Sequence, residues 1–552
     1  MKRCIDDEDI NAGPQCTMHK RSRVVKAPID ELCLVKDSFD VCEDSNGTVL
    51  DASLSLSSIE GNNNKYYYIQ LLAPKDGSAQ YALWTHWGRV GETGQKKLEQ
   101  NLVLETAMSS FSKKFKDKTG LIWDQRYGVL KANKYTLIEK SYNDDPDDAV
   151  EEIGTRSEEG KAPEDKPSAC MLSPKLQDLV RFLFNADNMK SAMASQNYSY
   201  NKLPLGKLSK TTIEKGYLGL KDPGEFIQNP DAAKDKYRGT LKDVFSDLSS
   251  KYYTIIPHDF GRKRRAPINT EDQLKAEVDL VEILGNMRIS NEVLKETETS
   301  REGQSAVHSL DARLASLGLQ EALAPDERSL EFGHLEQYFR HADGDHSDAL
   351  IRHIYRASRT EDVERFVRGG YDAEGMKLRP IKDCRKLLWH GSRGCNFGGI
   401  LSQGLRIAPP EAPPNGKAFG NGIYLADRAS KSASYCDPWN TDQTGLLLLC
   451  ETQLPEPSYI ESDHEFNAAV SMRKKGLIST KMMTDPMNDP ASWLDAAAFN
   501  ADIQGTCLPD PSIAMPRPHG FPTEYLVYDL AQVHIRNVFM LQWNASRRWG
   551  IY

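Results

Sequence analysis

With 552 residues the chain is too long for one hydrophobic core, so two to four domains are expected. Its 39% hydrophobic and 27% charged residues are ordinary for a soluble globular protein, and no apolar run approaches the ~20 residues of a membrane span. The net charge of −9 hides a segregation: residues 61–142 carry 13 Lys and Arg against 7 Asp and Glu, and residues 143–166 carry 3 against 10.

Residues 1–30 read as a disordered basic tail. It lacks the apolar core of a secretory signal and holds His19-Lys20-Arg21-Ser22-Arg23, a cluster suited to nuclear import or nonspecific DNA contact. Ten cysteines are scattered without a Cys-x-x-Cys pair, which argues for reduced thiols inside a cell and against a zinc module. In residues 31–142, two β-rich runs (66–72 and 81–87) flank the turn signal Lys75-Asp76-Gly77. Ala107, Phe111 and Phe115 then recur at i, i+4 and i+8 among Lys113, Lys114, Lys116 and Lys118. That spacing predicts an amphipathic helix over 106–118 with a basic outer face, packed on a small sheet. A basic domain of this kind followed by an acidic linker over 143–168 suits a polyanion-binding module and a solvated connection.

Residues 169–300 predict a helical bundle. Ser173-Pro174 is an N-cap followed by a proline at the first helical position, with Leu176, Leu179, Val180, Leu183 and Phe184 at helical spacing. Further helices are expected over 208–220 and 272–294. Residues 305–552 read as mixed: helical runs around 347–367, then short apolar strands at 386–389, 446–454, 524–530 and 533–543 between Gly- and Pro-rich loops. The expected fold class is multidomain α+β, with a small β-sheet domain, an all-α bundle and a mixed α+β domain.

The chemistry gathers in the last region. Leu387-Leu388-Trp389-His390-Gly391-Ser392-Arg393 is an apolar strand whose end delivers an imidazole, a bare backbone and a hydroxyl to one place. Phe419-Gly420-Asn421-Gly422-Ile423-Tyr424 offers an aromatic wall, and Thr523-Glu524-Tyr525 a strand-borne carboxylate. These groups suit a clamped nicotinamide riboside and positive charge developing on its sugar. A Rossmann site is unsupported, because Gly420-Asn421-Gly422 is a lone Gly-x-Gly with Leu425 where a third glycine belongs. His341 and His346 stand five apart with Gly344 between them, so they read as a solvated loop and no metal is expected. His390, Tyr424 or Tyr435 alone would read as core packing; the strand end and flanking glycines favour function.

Three blocks in order resemble the poly(ADP-ribose) polymerases of the short, DNA-dependent branch. His86-Trp87-Gly88-Arg89-Val90-Gly91 is similar to the WGR domain. Pro204-Leu205-Gly206-Lys207-Leu208-Ser209 and Tyr253-Thr254-Ile255-Ile256-Pro257-His258-Asp259-Phe260-Gly261 are similar to the helical regulatory domain. His390-Gly391-Ser392, Lys431-Ser432-Ala433-Ser434-Tyr435 and Glu524-Tyr525-Leu526 are similar to the ADP-ribosyltransferase domain. The resemblance covers residues 35 to 552.

The resemblance implies a catalytic Glu524 with His390 and Tyr424. It places NAD among His390, Gly391, Ser392, Asn396, Arg406, Lys431, Ser432 and Tyr435, with Ser392, Asn396 and Arg406 on the adenosine half. NAD would be a consumed substrate, so no resident cofactor is expected. Trp87, Gly88 and Arg89, with Asn64 and Lys65, would meet DNA ends or nicks. Chromatin proteins and the chain itself would accept ADP-ribose in the nucleus, with no membrane involved; Ser157 in the acidic linker is a candidate automodification position.

Some positions depart from the family pattern. Ala418 and Pro522 stand where a methionine and a tyrosine seat the growing polymer, which favours short or altered elongation. Glu282 keeps an acidic regulatory position while Asn286 replaces an aspartate, which favours weaker autoinhibition. The rival readings are a mono-ADP-ribosyltransferase and an inactive DNA-end scaffold.

Overall fold

The computed structural model describes residues 27–44, 46–129, 131, 133–140, 169–195, 198, 209–299, 308–343, 349–369, 385–409, 411–413, 419–454, 458–460, 468–475, 477, 479–482, 492–498, 503–515 and 522–544. Most of the basic tail, the acidic linker with Ser157, residues 204–208, residues 344–346 and Ala418 lie outside them.

Period-two alternation in the N-terminal region produces the expected sheet. Its strands are β1 (Phe39–Val41), β2 (Asp51–Ser58), β3 (Asn63–Pro74), β4 (Tyr81–Arg89), β5 (Gln95–Leu102) and, after helix α1 (Leu104–Thr119), β6 (Thr136–Ile138). Spatial order is β5-β4-β3-β2-β6, with β1 on the far end of β3 and every pairing antiparallel. The predicted stripe does the packing: Ala107, Phe111 and Phe115 are fully buried against Leu54, Ile69, Leu71 and Leu83. Gly120, at φ 74°, closes α1 by donating its N–H to the Lys116 carbonyl (2.7 Å), a left-handed cap that glycine adopts at least cost.

The other sheet face carries Tyr66 and Tyr68, which join one apolar cluster with the helical bundle. The bundle comprises α2 (Pro174–Leu183), α3 (Ala186–Ser195), α4 (Lys210–Gln228), α5 (Pro230–Lys236), α6 (Leu241–Ile255), α7 (Glu271–Thr299) and α8 (Ser309–Ser316). Ser173 caps α2 as expected, its hydroxyl accepting from the Leu176 N–H. Helix α4 runs on to Gln228, eight residues past the expected end at 220, straight through Pro223. Tertiary burial outweighs the lost backbone bond: Phe226 packs with Val244, Phe245 and Leu248 of α6. Helix α6 was not anticipated, although Thr240 and Asp243 form a capping box at its start.

The C-terminal region contains β7 (Glu321–Leu323), α9 (Leu330–Asp343), β8 (Ala349–Ser358), α10 (Thr360–Arg368), β9 (Arg385–Gly391), α11 (Phe397–Gln403), β10 (Ile423–Ala426), α12 (Ala429–Ala433) and β11 (Thr444–Gln453). It continues with β12 (Ser458–Ile460), α13 (Ala468–Lys474), β13 (Ser479–Met482), β14 (Trp493–Asp495), β15 (Thr506–Pro509), β16 (Glu524–Val527) and β17 (Val533–Trp543). The sheet order is β12-β13-β16-β10-β9-β11-β17-β8-β7, with β14–β15 attached to β9. The expected helix around 347–367 is corrected here: residues 349–358 are strand β8, and only 360–368 are helical. Pairing with β17 from Asn537↔Arg356 to Trp543↔Ala349 decides this, since a short mixed run carries no period strong enough to choose alone.

Phe111 and Phe115 also meet Trp123 edge-on, at 4.8 and 5.0 Å between ring centroids. Truncating Phe111 to Ala is therefore expected to cost about 3–5 kcal/mol. The loss should register as an earlier first melting transition of the full chain, with NAD-analogue binding unchanged.

Candidate active site and its regulatory contacts

Strand β9 sits at mid-sheet between β10 and β11, so its C-terminal end is fixed from both sides. Leu388 and Trp389 are fully buried, and His390 emerges at the sheet's edge of burial. The His390 Nδ1–H donates to the Tyr424 carbonyl at 2.8 Å. A carbonyl only accepts, so this bond fixes the proton on Nδ1 and leaves Nε2 as the ring's second polar atom. Gly391 is obligatory for a reason outside its own segment: a Cβ there would lie 1.8 Å from the Ser432 carbonyl oxygen. Ser432 in turn donates its hydroxyl to the Trp389 carbonyl at 2.9 Å, closing α12 onto β9.

Tyr424 is locked by its hydroxyl, which donates to the Gly420 carbonyl (2.9 Å) and accepts from the Phe419 N–H (3.0 Å). Burial raises its phenol well above the ordinary value, with the Glu524 carboxylate adding to the effect. The side chain is therefore a fixed neutral aromatic wall rather than a proton donor.

Strand β16 pairs β10 in a register that sets Glu524 opposite Ala426 and Leu526 opposite Tyr424. Glu524 is only 7% exposed. Lys431 Nζ lies 3.0 Å from its Oε1, and the Tyr435 hydroxyl donates to the same oxygen at 3.4 Å. Burial alone would lower the Lys431 ammonium, but the adjacent carboxylate more than reverses this and holds it above the ordinary lysine value. Both donors sit on Oε1, and among the described residues no donor reaches the second oxygen, whose acceptor capacity suits a ligand hydroxyl. Ser432 and Tyr435, singled out for the nicotinamide, stand beside Glu524: Ser432 donates to the Trp389 carbonyl and Tyr435 to Glu524. The Lys431–Glu524 pairing was not foreseen, because the two residues are distant in sequence.

Ser392, Asn396 and Arg406 converge as well, but on helix α7. Asn396 Nδ2 donates to the Ser392 hydroxyl oxygen at 3.0 Å, and Asn286 Nδ2 donates to Asn396 Oδ1 at 2.8 Å. Arg406 Nη2 donates to Asn286 Oδ1. An amide at 286 thus donates to one of these residues while accepting from another. Gly398 and Gly399 allow the close approach, since a Cβ on either would come within 2.4 Å of Ser290 Oγ or 2.6 Å of Asn286 Oδ1. Arg393 adds ion pairs to Asp279 (3.4 Å) and Asp437 (3.8 Å). Asp279, Glu282, Asn286 and Ser290 recur at helical spacing and form the α7 face toward this site. Of these, only Glu282 and Asn286 were singled out from sequence.

The sheet domain meets the bundle on the other side of α7, through the segment that joins α6 to α7. Asn64, expected at DNA, is 1% exposed and donates to the His258 carbonyl at 2.6 Å, so it faces the bundle. His258 Nε2 is 2.9 Å from Glu277 on α7, and Arg265 reaches Glu277 at 3.0 Å. Burial pushes the Glu277 carboxyl up, but His258 and Arg265 outweigh it and keep it below the ordinary glutamate value. Arg89 donates to the Gly261 carbonyl (2.6 Å) and the Asn62 carbonyl (2.8 Å). Trp87 is half-buried, stacked on Tyr67 at 5.6 Å, with Lys118 4.4 Å over the Tyr67 ring. Gly88, near the end of β4, lets the Gly94 backbone approach, since a Cβ there would lie 2.7 Å from the Gly94 Cα, and Lys65 is exposed beside Arg89 on the paired strand.

The strand end with His390 and Gly391, the locked Tyr424 and the buried Glu524 lie together in the catalytic domain of an NAD-consuming ADP-ribosyltransferase. The chain belongs to the poly(ADP-ribose) polymerase family. The "Poly(ADP-ribose) polymerase catalytic domain" matches residues 329–543, the "Poly(ADP-ribose) polymerase, regulatory domain" residues 170–313 and the "WGR domain" residues 50–128. Poly [ADP-ribose] polymerase 2 of Homo sapiens is 34% identical over 539 residues, covering 95% of this chain and 85% of the relative. Poly [ADP-ribose] polymerase 2 of Arabidopsis thaliana is 32% identical over 524 residues, 92% of this chain and 75% of the relative. Against Poly [ADP-ribose] polymerase 1 of Danio rerio, at 32% identity, the chain spans about half the relative's length (46%). Among the described residues, no helix is long and apolar enough to cross a membrane.

Glu524→Gln should lower label transfer from NAD by about 10²–10³ while NAD-analogue binding persists. Gly391→Ala should abolish analogue binding itself, because its methyl group and the Ser432 carbonyl cannot share one place; calorimetry separates the two.

Proposed function

We propose that the protein is a DNA-break-activated enzyme that cleaves NAD, releases nicotinamide and attaches ADP-ribose to itself and to chromatin proteins in the nucleus. NAD is spent as substrate in this reading, and no resident cofactor takes part. As the nicotinamide–ribose bond breaks, the sugar gains oxocarbenium character. Glu524, steadied through Oε1, would accept from the ribose 2′-hydroxyl through its other oxygen and stabilise that charge as the acceptor nucleophile approaches. Gly391 backbone and Ser432 would orient the carboxamide between Tyr424 and Tyr435, with His390 on a ribose hydroxyl.

The observation that carries the regulatory half is the engagement of Asn286 with both Asn396 and Arg406. Residues assigned to the adenosine moiety are held by the regulatory helix, so NAD and α7 compete for the same polar atoms. DNA arriving at Trp87, Arg89 and Lys65 would meet phosphates through the guanidinium and ammonium groups, largely independent of sequence and sensitive to salt. Because Arg89 also holds Gly261, a DNA contact there disturbs the joint that leads through His258 and Glu277 to α7. Pro522 and Ala418 support short products, and modification at Ser157 would fit the acidic linker.

Labelled NAD incubated with the chain, with and without nicked duplex, is the direct test: transfer should rise with DNA and run as short polymer on a gel. Absence of transfer in both arms would leave only a DNA-end scaffold. Asn286→Ala should raise DNA-independent transfer about fivefold or more, since a coupling of about 1–3 kcal/mol is at stake. An unchanged basal rate would remove Asn286 from the regulation.

A further inference from the structure

His86 occupies a place that the transfer chemistry does not use. Successive β4 side chains point to opposite sheet faces, so Trp87 faces α1 whereas His86 lies on the face that meets the regulatory bundle. There it is 7% exposed, edge-on to Tyr66 (5.1 Å) and Tyr68 (5.7 Å). Its Nδ1 is 2.7 Å from Asp30 Oδ2, and its Nε2 is 2.5 Å from the Thr93 carbonyl oxygen. A carboxylate and a carbonyl both accept, an arrangement that a ring carrying a hydrogen on each nitrogen, an imidazolium, satisfies at both ends. The Tyr66 hydroxyl, 2.9 Å from Nε2, also donates to the Thr93 carbonyl at 2.9 Å.

The turn secured in this way is the one that touches the bundle. Gly91 packs so closely that a Cβ would lie 2.2 Å from Asp259 Oδ1, Glu92 accepts from Arg262 Nε at 3.0 Å, and Arg89 donates to Gly261. We propose that His86 is a positioning residue for DNA-dependent control: its imidazolium, bound between Asp30 and the Thr93 carbonyl, holds the 90–94 turn against residues 259–262, and loss of the ring proton slackens that seat. The inference rests on the DNA-activated reading above for its functional consequence, and on geometry alone for the switch.

The groups facing the ring are Asp30 from the segment before β1, Tyr66 and Tyr68 from β3, Lys96 opposite on β5, and Glu92 within the turn. Burial depresses the imidazole, but Asp30 and the Thr93 carbonyl more than compensate and raise it above the ordinary value; the Tyr66 phenol is pushed up to about 12, chiefly by burial. A raised histidine contributes stability fully below its unfolded value of about 6.5, and the contribution is lost as pH climbs through the folded value. The switching window therefore lies above the ordinary imidazole value, on the side to which Asp30 and the Thr93 carbonyl move it.

Two readouts on the full-length chain test this. Hydrogen exchange, corrected for its intrinsic pH dependence, should show peptides 90–94 and 259–262 losing protection together as the His86 ring deprotonates by NMR. In His86→Gln both should be loose at every pH, and Asp30→Asn should move the midpoint to lower pH. In parallel, the ratio of DNA-stimulated to basal transfer should fall about fivefold or more across the same window in the parent chain and stay flat in His86→Gln, with basal transfer unaffected. Superimposable exchange profiles for parent and His86→Gln, or an unmoved midpoint in Asp30→Asn, overturn the proposal. Intact exchange behaviour without any DNA stimulation at any pH would instead overturn the DNA-activated reading and confine His86 to the domain joint.

Discussion

Helix α7 is gripped on two sides, and the arrangement of the other domains follows from that grip. Glu277 is held by His258 and Arg265 on the side of the WGR domain. Nine residues on, Asn286 is held by Asn396 and Arg406 on the side of the transferase. At 1.5 Å rise per residue these points are about 13 Å apart along the axis. Both grips act on one continuous helix, Glu271–Thr299. A shift that suits the first alters the second without any change in the residues between them.

The energetics make this linkage discrete. Glu277 is almost fully buried, and a buried carboxylate stripped of one partner costs about 3–5 kcal/mol. Partial loosening at that end is therefore unfavourable compared with either full engagement or a concerted move. At the other end, a hydrogen bond to a charged group is worth about 1.5–3 kcal/mol. In the proposed reading, that is enough to bias NAD access by one to two orders of magnitude, and small enough for a DNA end bound through several phosphates to overcome. The amide at 286 engages Arg406 without adding a charge pair to it, which fits the moderate rather than absolute lock of the proposed reading.

Much of this was legible in the sequence because the signals are local. The stripe Ala107, Phe111, Phe115 defines α1, Ser173-Pro174 opens α2, and His390-Gly391-Ser392 marks a strand end with a bare backbone. What escaped depends on partners far along the chain. Residues 349–358 are a strand because β17 pairs with them, and α4 passes through Pro223 because Phe226 is claimed by α6. The composition of Asn64 suited a DNA contact, yet its amide is committed to the His258 carbonyl. Gly391 was singled out for its freedom of approach; the carbonyl that actually demands it belongs to Ser432, on another element.

Two buried glutamates with cationic neighbours show why burial and pairing alone do not define a catalytic group. Glu277 is contacted on both oxygens: Tyr252 and His258 lie at Oε2, and Tyr253 and Arg265 at Oε1. Its acceptor capacity is used internally, and its chemistry ends there. Glu524 has Lys431 and Tyr435 on the same oxygen, from the short helix α12 and the residues just after it. Such an arrangement holds the carboxylate in position while the second oxygen, which no donor among the described residues reaches, suits a ligand, and it places a cation beside the carboxylate without neutralising both lone-pair faces. In the proposed reading, what separates the structural Glu277 from the reactive Glu524 is thus the distribution of donors over the two oxygens, not the depth at which each residue lies.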